Sequence, residues 1–358
     1  MTVTTTAAEP EVLFEARGAL GLITLNRPKA LNALTLGMVR ALHPQLETWA
    51  KDSAIKTVAI QGAGGKAFCA GGDIRKLYEQ GRAGQLGEAR DFWREEYTLN
   101  RLIKRYPKPY VALIHGIVMG GGVGLSLHGS HRAASEAYHF AMPEVGIGFF
   151  PDVGATHAMP RLPGAAGAYL CVTGARLNAA DAIALGLATH HVRFERFAAV
   201  IESLAGGMHP DRALGLNAAA PGAASLAGQS AVIHAAFSEG NVAGVLSALD
   251  RLAAQGSAFA AETARGMRTK SPQSMAIALE QMRLGASMTF EEAMTHEFRI
   301  VSRICEPGSD FYEGVRALII DKDNKPKWRV GEPSGVMPAD AARYFAPLSD
   351  DLTFPAFA

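Results

Sequence analysis

The stretch KPYVALIHGIVMGGGVGLSLHGSHRAAS, residues 108–135, decides the fold class of this chain. Residues 110–116 form an apolar run that is typical of a buried strand, and the glycine cluster after them predicts the start of a helix. The apolar residues 111–127 are interrupted by His115 and five glycines, which favours a buried strand and helix over a membrane span. A buried strand that runs directly into a helix indicates an α/β protein.

The alternation of strands and helices extends outward from this stretch. Residues 12–28 alternate between apolar and polar side chains and predict a hairpin of two strands. Thr35 is expected to cap the next helix, in which Pro44 predicts a kink or an early end. Another strand is predicted at 57–62, and further short strands are predicted near 131–141. The first half of the chain therefore has an alternating β/α pattern.

The second half of the chain predicts almost only helices. Ser271 precedes a proline and is expected to cap one of them. Thr289 with Glu292, and Asp310 with Glu313, have the spacing of capping boxes, in which two side chains cap a helix start reciprocally. The apolar stripes that follow these caps are expected to pack in the core.

Composition and charge exclude several classes of function. The 358 residues are 48% hydrophobic and 19% charged, which fits one large domain, with or without an appendage. The formal net charge is +1 and there is no long run of either sign, so neither a nucleic-acid partner nor an anionic membrane surface is predicted. A local basic patch for a phosphorylated ligand is compatible with this balance.

Cysteine usage and the first residues bear on the compartment. The three cysteines, Cys69, Cys171 and Cys305, lie far apart and form neither a CxxC pair nor a zinc-binding pattern with histidine. Residues 1–18 lack a basic segment followed by an apolar one, and no arginine precedes Arg17. These features predict no disulfide framework, no secretion signal and no transit peptide, and hence a cytoplasmic protein.

Two glycine-rich turns remain after familiar glycine motifs are excluded. Residues 120–124 lack the spacing of a dinucleotide fingerprint, and His128 stands where a nucleophile elbow around Ser126 requires glycine. The turns CAGGDI, 69–74, and MGGGVG, 119–124, each follow a predicted strand. Their backbone N–H groups are suited to hold an oxyanion. The alternative is that these glycines only let helices pack closely on the sheet.

Two acids lie in the otherwise aromatic, aliphatic, glycine- and proline-containing stretch FAMPEVGIGFFPDVGA, residues 140–155. They are Glu144 and Asp152. An ionised carboxylate in such surroundings loses solvation unless it is paired, so both acids are candidates for a functional site. The alternative is that each lies on a turn with its charge in water.

Four motifs, in their order along the chain, resemble those of the enoyl-CoA hydratase/isomerase (crotonase) superfamily, whose members bind acyl-CoA thioesters. They are NRPKALNAL at 26–34, GGKAFCAGGDIRKLYE at 64–79, and the stretches 108–135 and 140–155. Further segments resemble the 3-hydroxyisobutyryl-CoA hydrolase branch of that superfamily: FWREEYTLN at 92–100, FAMPE with FPDVG, and DFYEGVRALIIDKDNKPKW at 310–328. The resemblance covers nearly the whole chain.

The resemblance implies an α/β fold of the crotonase type, with a ββα spiral core and a mostly helical C-terminal region. The predicted domains are a flexible N-terminus at 1–10, a core with the CoA and active sites at 11–204, an Ala/Gly-rich connection or exposed loop at 205–230, and a helical region at 231–358. No metal is implied, and no cofactor, since coenzyme A is part of the substrate. Superfamily members commonly form homo-oligomers, although the longer tail of this branch is compatible with packing over its own site.

The resemblance also assigns roles to site residues. It implies that the backbone N–H groups of Gly72 and Gly121 hold the thioester oxygen. Glu144 matches the carboxylate that acts on the thioester or on its attacking water, and Asp152 matches an acid that orients substrate and catalytic groups. Glu96 matches a position that contacts the substrate. Main-chain groups that would line the path of CoA lie near Lys29, Ala30, Ala70 and Ile74.

One departure separates this chain from the hydratases that it resembles. Hydratases of the superfamily carry a second glutamate three residues after the middle oxyanion glycine, and this chain has Gly124 there. Adding water to a double bond requires both a base and an acid, whereas thioester hydrolysis requires a polarised carbonyl and one carboxylate. Glu144 can serve as that carboxylate, either by activating water or by attacking the carbonyl. The sequence therefore predicts an acyl-CoA thioester hydrolase.

The resemblance to this branch leaves two candidates for the acyl group. Its usual substrate is 3-hydroxyisobutyryl-CoA from valine breakdown, and 3-hydroxypropionyl-CoA, which differs by one methyl group, is the alternative. Two other functions stay open: a hydratase or isomerase that uses Glu144 and Asp152, and a catalytically silent acyl-CoA- or RNA-binding member. The near-neutral charge argues against RNA, and the pair of acids argues against a silent protein.

Overall fold

A computed structural model describes residues 9–336 and 338–354, so most of the predicted flexible N-terminus at 1–10 lies outside the described residues. Strands β1 to β9 are Val12–Arg17, Leu20–Leu25, Thr57–Gly62, Ala67–Cys69, Tyr110–Ile114, Ile117–Met119, His131–Ala134, His139–Ala141 and His190–His191. Helices α1 to α8 are Leu36–Lys51, Ile74–Arg82, Leu86–Lys104, Gly121–Ser126, Ala155–Ala158, Ala166–Thr173, Ala179–Ala184 and Phe197–Ala205. Helices α9 to α16 are Pro210–Gly215, Ser230–Phe237, Val242–Ala254, Ala258–Met267, Pro272–Gly285, Phe290–Ile304, Asp310–Val315 and Pro338–Ala342.

The strands form two sheets. The large sheet has the order β1-β2-β3-β5-β7-β9, and the small sheet has the order β4-β6-β8. The hairpin of β1 and β2 is antiparallel, as predicted, while all other neighbouring pairs are parallel. Parallel neighbours need a crossover between them, and here the helices and the strands of the other sheet supply it.

The chain repeats one unit in which a strand of the large sheet is followed by a short strand of the small sheet and then by a helical segment. The units are β3-β4-α2, β5-β6-α4, and β7-β8 with the 3₁₀ helix Glu144–Ile147. This arrangement confirms the predicted ββα spiral. The glycine-rich turns follow β4 and β6, whereas the sequence pattern predicted them after the strands that are now β3 and β5. Three-residue strands are too short to show a period, which is why the pattern missed them.

The large sheet is buried on both faces. Along β3 and β5, Ile60 and Ala112 face the main core, whereas Ala59 and Val111 face a smaller core that helix α8 covers. Successive side chains of a strand point to opposite faces, so a strand that is buried on both faces is apolar throughout. Strand β5, which lies in the apolar run of residues 110–116, is such a strand.

Most of the predicted helix starts are confirmed. The Thr35 hydroxyl accepts the Met38 N–H at 3.1 Å at the start of α1. Thr289 and Glu292 form the capping box of α14. The early end predicted at Pro44 is wrong, because α1 continues through it to Lys51. Apolar residues of α1 pack on both sides of the proline, and this packing outweighs the lost hydrogen bond.

The capping box predicted for Asp310 and Glu313 is wrong. Helix α15 begins after Ser309, and no side chain caps its start. The Asp310 carboxylate instead accepts the Ser271 hydroxyl at 2.6 Å and the Arg329 N–H at 2.9 Å. Partners from distant parts of the chain have taken the place of the local one.

The C-terminal helices share the main core with the sheets. Helix α14 packs against α3, and α13 packs against α6. The predicted connection at 205–230 contains helix α9, whose Ala213 and Leu214 are buried against the large sheet. The division into domains stays a prediction. Among the described residues no helix is long and apolar enough to cross a membrane.

Candidate active site

The small sheet brings three predicted site segments together. Its strands β4, β6 and β8 are parallel, so their carboxyl ends lie on the same edge. The chain leaves β4 towards Gly72, leaves β6 towards Gly121, and leaves β8 towards Glu144. The carboxyl ends of parallel strands are the usual place for ligands in α/β sheets, and this topology therefore places the three residues around one opening.

A cavity of about 320 Å³ lies at this edge. The predicted site residues that line it are Ala70, Gly72, Ile74, Glu96, Gly121, Glu144 and Asp152. Lys29 and Ala30 do not line it; they are exposed on the 3₁₀ turn Pro28–Ala30. The structure thus brings most of the predicted residues together, and the individual roles stay predictions.

The two glycines predicted to hold the thioester oxygen, Gly72 and Gly121, are close neighbours. A Cβ atom built on Gly121 would lie 3.5 Å from the Gly72 nitrogen. Among the described residues, neither N–H group donates a backbone hydrogen bond. Two N–H donors that lie close together and have no backbone partner can bind one oxygen atom between them.

Glu144 lies beside these glycines at the start of its 3₁₀ helix. Its side chain is buried, with 7% of the residue exposed, and Oε2 has no hydrogen-bond partner among the described residues. Oε1 lies 3.4 Å from the position of a Cβ on Gly120, which places the carboxyl group next to the oxyanion turn. Burial, and then the charge of Asp152, raise the pKa of Glu144 well above its ordinary value. A desolvated carboxylate of this kind is a strong base or nucleophile.

Asp152 lines the same cavity and is held by Tyr97. The Tyr97 hydroxyl donates a hydrogen bond of 2.9 Å to Oδ2 of Asp152. Burial raises the pKa of Asp152 from its ordinary value of 3.8 to about 7, while the hydrogen bond from Tyr97 opposes this shift. The two predicted acids are therefore buried in one site, and the alternative in which they lie on solvated turns is wrong.

The raised pKa of Asp152 predicts a pH-dependent cost in stability. The folded carboxyl keeps its proton up to about pH 7, whereas in the unfolded chain it ionises near 3.8, so this group destabilises the fold progressively as the pH rises between these values. We expect Asp152→Asn to raise the Tm by roughly 3 °C at pH 8 and to leave it unchanged at pH 4. Thermal unfolding followed by circular dichroism measures both values.

The control for this measurement is Asp250→Asn, since Asp250 is exposed and pairs with Arg268 on the surface. Asp250→Asn should change the Tm by the same amount at pH 4 and at pH 8. A gain for Asp152→Asn that is equal at both pH values would contradict the assignment of a raised pKa.

Helix α3 forms one wall of the cavity. Phe92, Trp93 and Glu96 line it, at the spacing that places residues on one helix face. Glu96 is 2% exposed, and its Oε1 lies 2.7 Å from the position of a Cβ on Gly121. Burial raises the pKa of Glu96 well above its ordinary value, and the charges of Asp152 and Glu297 add to the rise. The surroundings of Glu96 therefore disfavour its ionised form next to Gly121.

The position that carries a second glutamate in hydratases is closed. A Cβ on Gly124 would lie 2.7 Å from Nδ2 of Asn100 and 2.9 Å from Cβ of Val153. Contacts below 3 Å do not occur without a displacement of the neighbours. Asn100 and Val153 therefore occupy the space in which a second acid would stand.

The C-terminal tail covers the cavity of its own chain. Leu318 and Ile319 line the cavity from the π-helical segment Arg316–Ile320. The carbonyl of Ile319 accepts a hydrogen bond of 3.1 Å from Nη2 of Arg75 on α2. The tail thus packs over its own site, the alternative that the sequence had left open.

Sequence reasoning missed two ionisable residues at or behind the site. Lys270 is half-buried in the cavity wall, with Nζ 3.3 Å from the position of a Cβ on Gly146, and burial lowers its pKa. Glu297 lies behind Asp152 and is fully buried. A signal for Glu297 was available: it is an acid on the apolar stripe of α14, beside Phe298. No local pattern marks Lys270.

Metal binding has no support among the residues that the structure describes, since no group of histidine, cysteine, aspartate and glutamate there is arranged to hold an ion. The expectation that the protein works without metal or cofactor stays a prediction.

Curated relatives match almost the whole chain. The 3-hydroxyisobutyryl-CoA hydrolase of Danio rerio, a mitochondrial protein, is 46% identical over 96% of this chain and 91% of its own length. The mitochondrial 3-hydroxyisobutyryl-CoA hydrolase of Homo sapiens is 45% identical over 98% of this chain and 92% of its own length. The resemblance to this branch is thereby confirmed.

The predicted cytoplasmic location is wrong by the same comparison, because these relatives are named mitochondrial. The prediction rested partly on cysteines, and the structure shows Cys69, Cys171 and Cys305 as free and buried. Free thiols indicate a reducing environment but do not distinguish one reducing compartment from another.

A solved structure and a family model also match most of this chain. A crystal structure described as a carnitinyl-CoA dehydratase from Mycobacterium thermoresistibile superposes with a TM-score of 0.91, at 40% identity, over 96% of this chain and 98% of that one. The family model described as enoyl-CoA hydratase/isomerase matches residues 20–345. With its ββα spiral and its paired glycine turns, the chain therefore belongs to the enoyl-CoA hydratase/isomerase family.

Proposed function

We propose that this chain hydrolyses a short 3-hydroxyacyl-CoA thioester, above all 3-hydroxyisobutyryl-CoA, to the free hydroxy acid and CoA. The observation that carries the proposal is the arrangement around the oxyanion turns: the buried Glu144 stands beside them, while the position of a second glutamate, at Gly124, is closed. The names of the curated relatives support the same activity.

The reaction needs little more than this arrangement. The thioester oxygen binds between the N–H groups of Gly72 and Gly121, which polarise the carbonyl and stabilise the developing oxyanion. A single donor of this kind contributes about 3 kcal/mol to the barrier reduction. Glu144 then either removes a proton from the attacking water or attacks the carbonyl carbon itself to give an anhydride that water opens. In both routes the carbon–sulfur bond breaks and CoA leaves as a thiolate that takes up a proton.

The other groups of the cavity orient the substrate. Asp152, fixed by Tyr97, lies within the electrostatic reach of Glu144 and raises its pKa. Glu96 lies next to Gly121 with a free Oε1, so it is placed to bind a polar group near the thioester, for which the 3-hydroxyl is the natural candidate. The chemistry requires no metal and no cofactor, and CoA enters only as part of the substrate.

A hydratase or isomerase is the second candidate, because the similar Mycobacterium structure is described as a dehydratase. Such a reaction would need Asp152 to replace the second glutamate. Asp152 lines the same cavity as Glu144, and a side chain at position 124 would collide with Asn100 and Val153. This geometry favours hydrolysis.

Release of free CoA thiol from a panel of thioesters tests the proposal. We expect rapid release from 3-hydroxyisobutyryl-CoA and 3-hydroxypropionyl-CoA, within about 200-fold of each other because one methyl group discriminates by no more than that. Acetyl-CoA and crotonyl-CoA should be much poorer substrates, since they lack the 3-hydroxyl. The absorbance of the enoyl thioester, followed in parallel, detects hydration. Loss of that absorbance without thiol release would establish the hydratase instead.

A further inference from the structure

The loop that carries Asp152, residues 150–156, has an unusual backbone. Val153 has φ of 54° and Gly154 has φ of 89°. Positive φ is natural for glycine but is rarely adopted by a β-branched residue such as valine. The conformation at Val153 must therefore be imposed by contacts outside the loop.

Glu297 makes two of these contacts. It lies on α14, is fully buried, and uses both carboxylate oxygens on the loop. The Gly154 N–H donates to Oε2 at 2.7 Å and the Thr156 N–H donates to Oε1 at 2.9 Å. This two-point contact fixes the orientation of the peptide group between Val153 and Gly154, which comes directly after Asp152 and Val153 in the loop.

Two further side chains hold the loop. Nε2 of Gln281 on α13 donates to the Pro151 carbonyl and to the Thr156 hydroxyl, both at 2.7 Å. His128 contacts the Val153 carbonyl through Nε2 at 2.6 Å. Burial lowers the pKa of His128 to about 3, so its ring is neutral and carries the proton on the nitrogen that donates to this carbonyl. The backbone is thus fixed on both sides of Asp152.

The fold of α14 does not explain an acid at position 297. Its buried face is otherwise apolar, with Met294, Phe298 and Val301, and Glu291 already ties the helix to α3 through Arg101. A buried carboxylate is more costly than an apolar side chain unless its hydrogen bonds serve a purpose. Both hydrogen bonds of Glu297 go to the Asp152 loop.

We infer that Glu297 is a positioning residue, which holds residues 153–156 in a strained conformation so that the Asp152 carboxylate points into the cavity beside Glu144. The inference rests on the proposed function, because Asp152 matters only if the cavity is the site of catalysis. It also gives the helical C-terminal region a part in the reaction, in addition to the cover that its tail provides.

A double-mutant cycle in the full chain tests the inference through the hydrolysis of 3-hydroxyisobutyryl-CoA. Glu297→Gln retains the shape but presents an NH₂ group to one of the two N–H donors. We expect kcat to fall by about 10- to 100-fold while KM changes less than about threefold, since misplacement by a fraction of an ångström acts on the transition state. In the Asp152→Asn background the same replacement should lower kcat by less than about threefold.

Equal losses in the two backgrounds would overturn the inference, because a residue that acts through Asp152 cannot have its full effect without it. The matched control is Glu291→Gln, which removes an ion pair of α14 with α3 but does not touch the loop. Its kcat should stay within about twofold of the wild type. If Glu297→Gln does not fold, Gln281→Leu takes its place in the cycle, with the same criterion.

Hydrogen exchange of the peptide that spans residues 150–156 gives a readout that needs no activity. Exchange should be faster in Glu297→Gln than in the wild type and unchanged in Glu291→Gln. Unchanged exchange in both variants would overturn the positioning role. A wild-type protein that releases no CoA would instead overturn the proposed function, and the exchange result would still decide the role of Glu297.

Discussion

Replacing Glu144 with glutamine is expected to lower kcat for thioester hydrolysis by about a thousandfold, the range in which proton transfer by a positioned side chain contributes. Glutamine has the same shape but can neither accept a proton from water nor form an anhydride. The Glu144 carboxyl is buried, with Oε2 unpartnered among the described residues, so the replacement removes no structural hydrogen bond from it. The fold should therefore survive the change, and stability should be equal or higher.

The measurement is single-turnover and steady-state release of CoA, with circular dichroism as the check on folding. Glu95→Gln is the matched control, because Glu95 lies on α3 close to the site but pairs with Arg40 on the surface. Its kcat should equal that of the wild type. A Glu144→Gln protein that kept a tenth of the activity would show that another group carries the reaction, with Asp152 the first to examine.

The parts of this site that were predictable from the sequence are those in which one short segment holds both the fold signal and the chemistry. Gly72 and Gly121 follow apolar strands in glycine-rich turns, and Glu144 and Asp152 are the two acids of an otherwise uncharged stretch. A strand must be followed by a turn, and a turn that needs glycine can expose its N–H groups. The local pattern was therefore sufficient for these residues, and the resemblance to known motifs supplied their roles.

The parts that were not predictable depend on contacts between distant segments. Asp310 had the spacing of a cap but found Ser271 and Arg329 instead. The sequence shows Glu297 as an acid on an apolar helical stripe, but it does not show its partner, the loop of Asp152, which lies more than a hundred residues away along the chain. A pattern with a period of three or four residues contains no information about which segment will lie opposite it. Such contacts emerge only when the helices pack.

The packing of the tail over the cavity is another contact between distant segments that a local sequence pattern does not predict. Leu318 and Ile319 belong to a segment whose similarity to the hydrolase branch was recognised, yet no property of the segment itself shows that it closes the cavity. The π-helical turn there widens the helix and departs from the period of an α-helix. Its side chains consequently leave the face that an α-helical pattern would assign to them.

We expect the replacement of Gly121 with alanine to lower kcat by about 100- to 1000-fold. This loss is comparable to that caused by removing one oxyanion donor. The new methyl group would lie 2.7 Å from Oε1 of Glu96 and 3.3 Å from Cδ2 of Leu34, both of which are buried and must move. It would also stand 3.5 Å from the Gly72 nitrogen, beside the place that the thioester oxygen must reach. Steady-state kinetics with 3-hydroxyisobutyryl-CoA, together with the Tm, measures the effect.

The other oxyanion glycine provides the contrast for this prediction. A methyl group on Gly72 would lie 3.5 Å from the ring of Phe92, an ordinary contact, so Gly72→Ala should cost less than about tenfold in kcat. Gly266→Ala on α12, where the new methyl group meets no described atom within 4 Å, should leave kcat unchanged. Equal losses of kcat for Gly121→Ala and Gly72→Ala would contradict this prediction. They would mean that added bulk at either turn slows the reaction, and that crowding around Glu96 and the thioester oxygen is not the cause. The difference between the two glycines thus tests the geometry of the site, because both residues would contribute the same chemical group to catalysis.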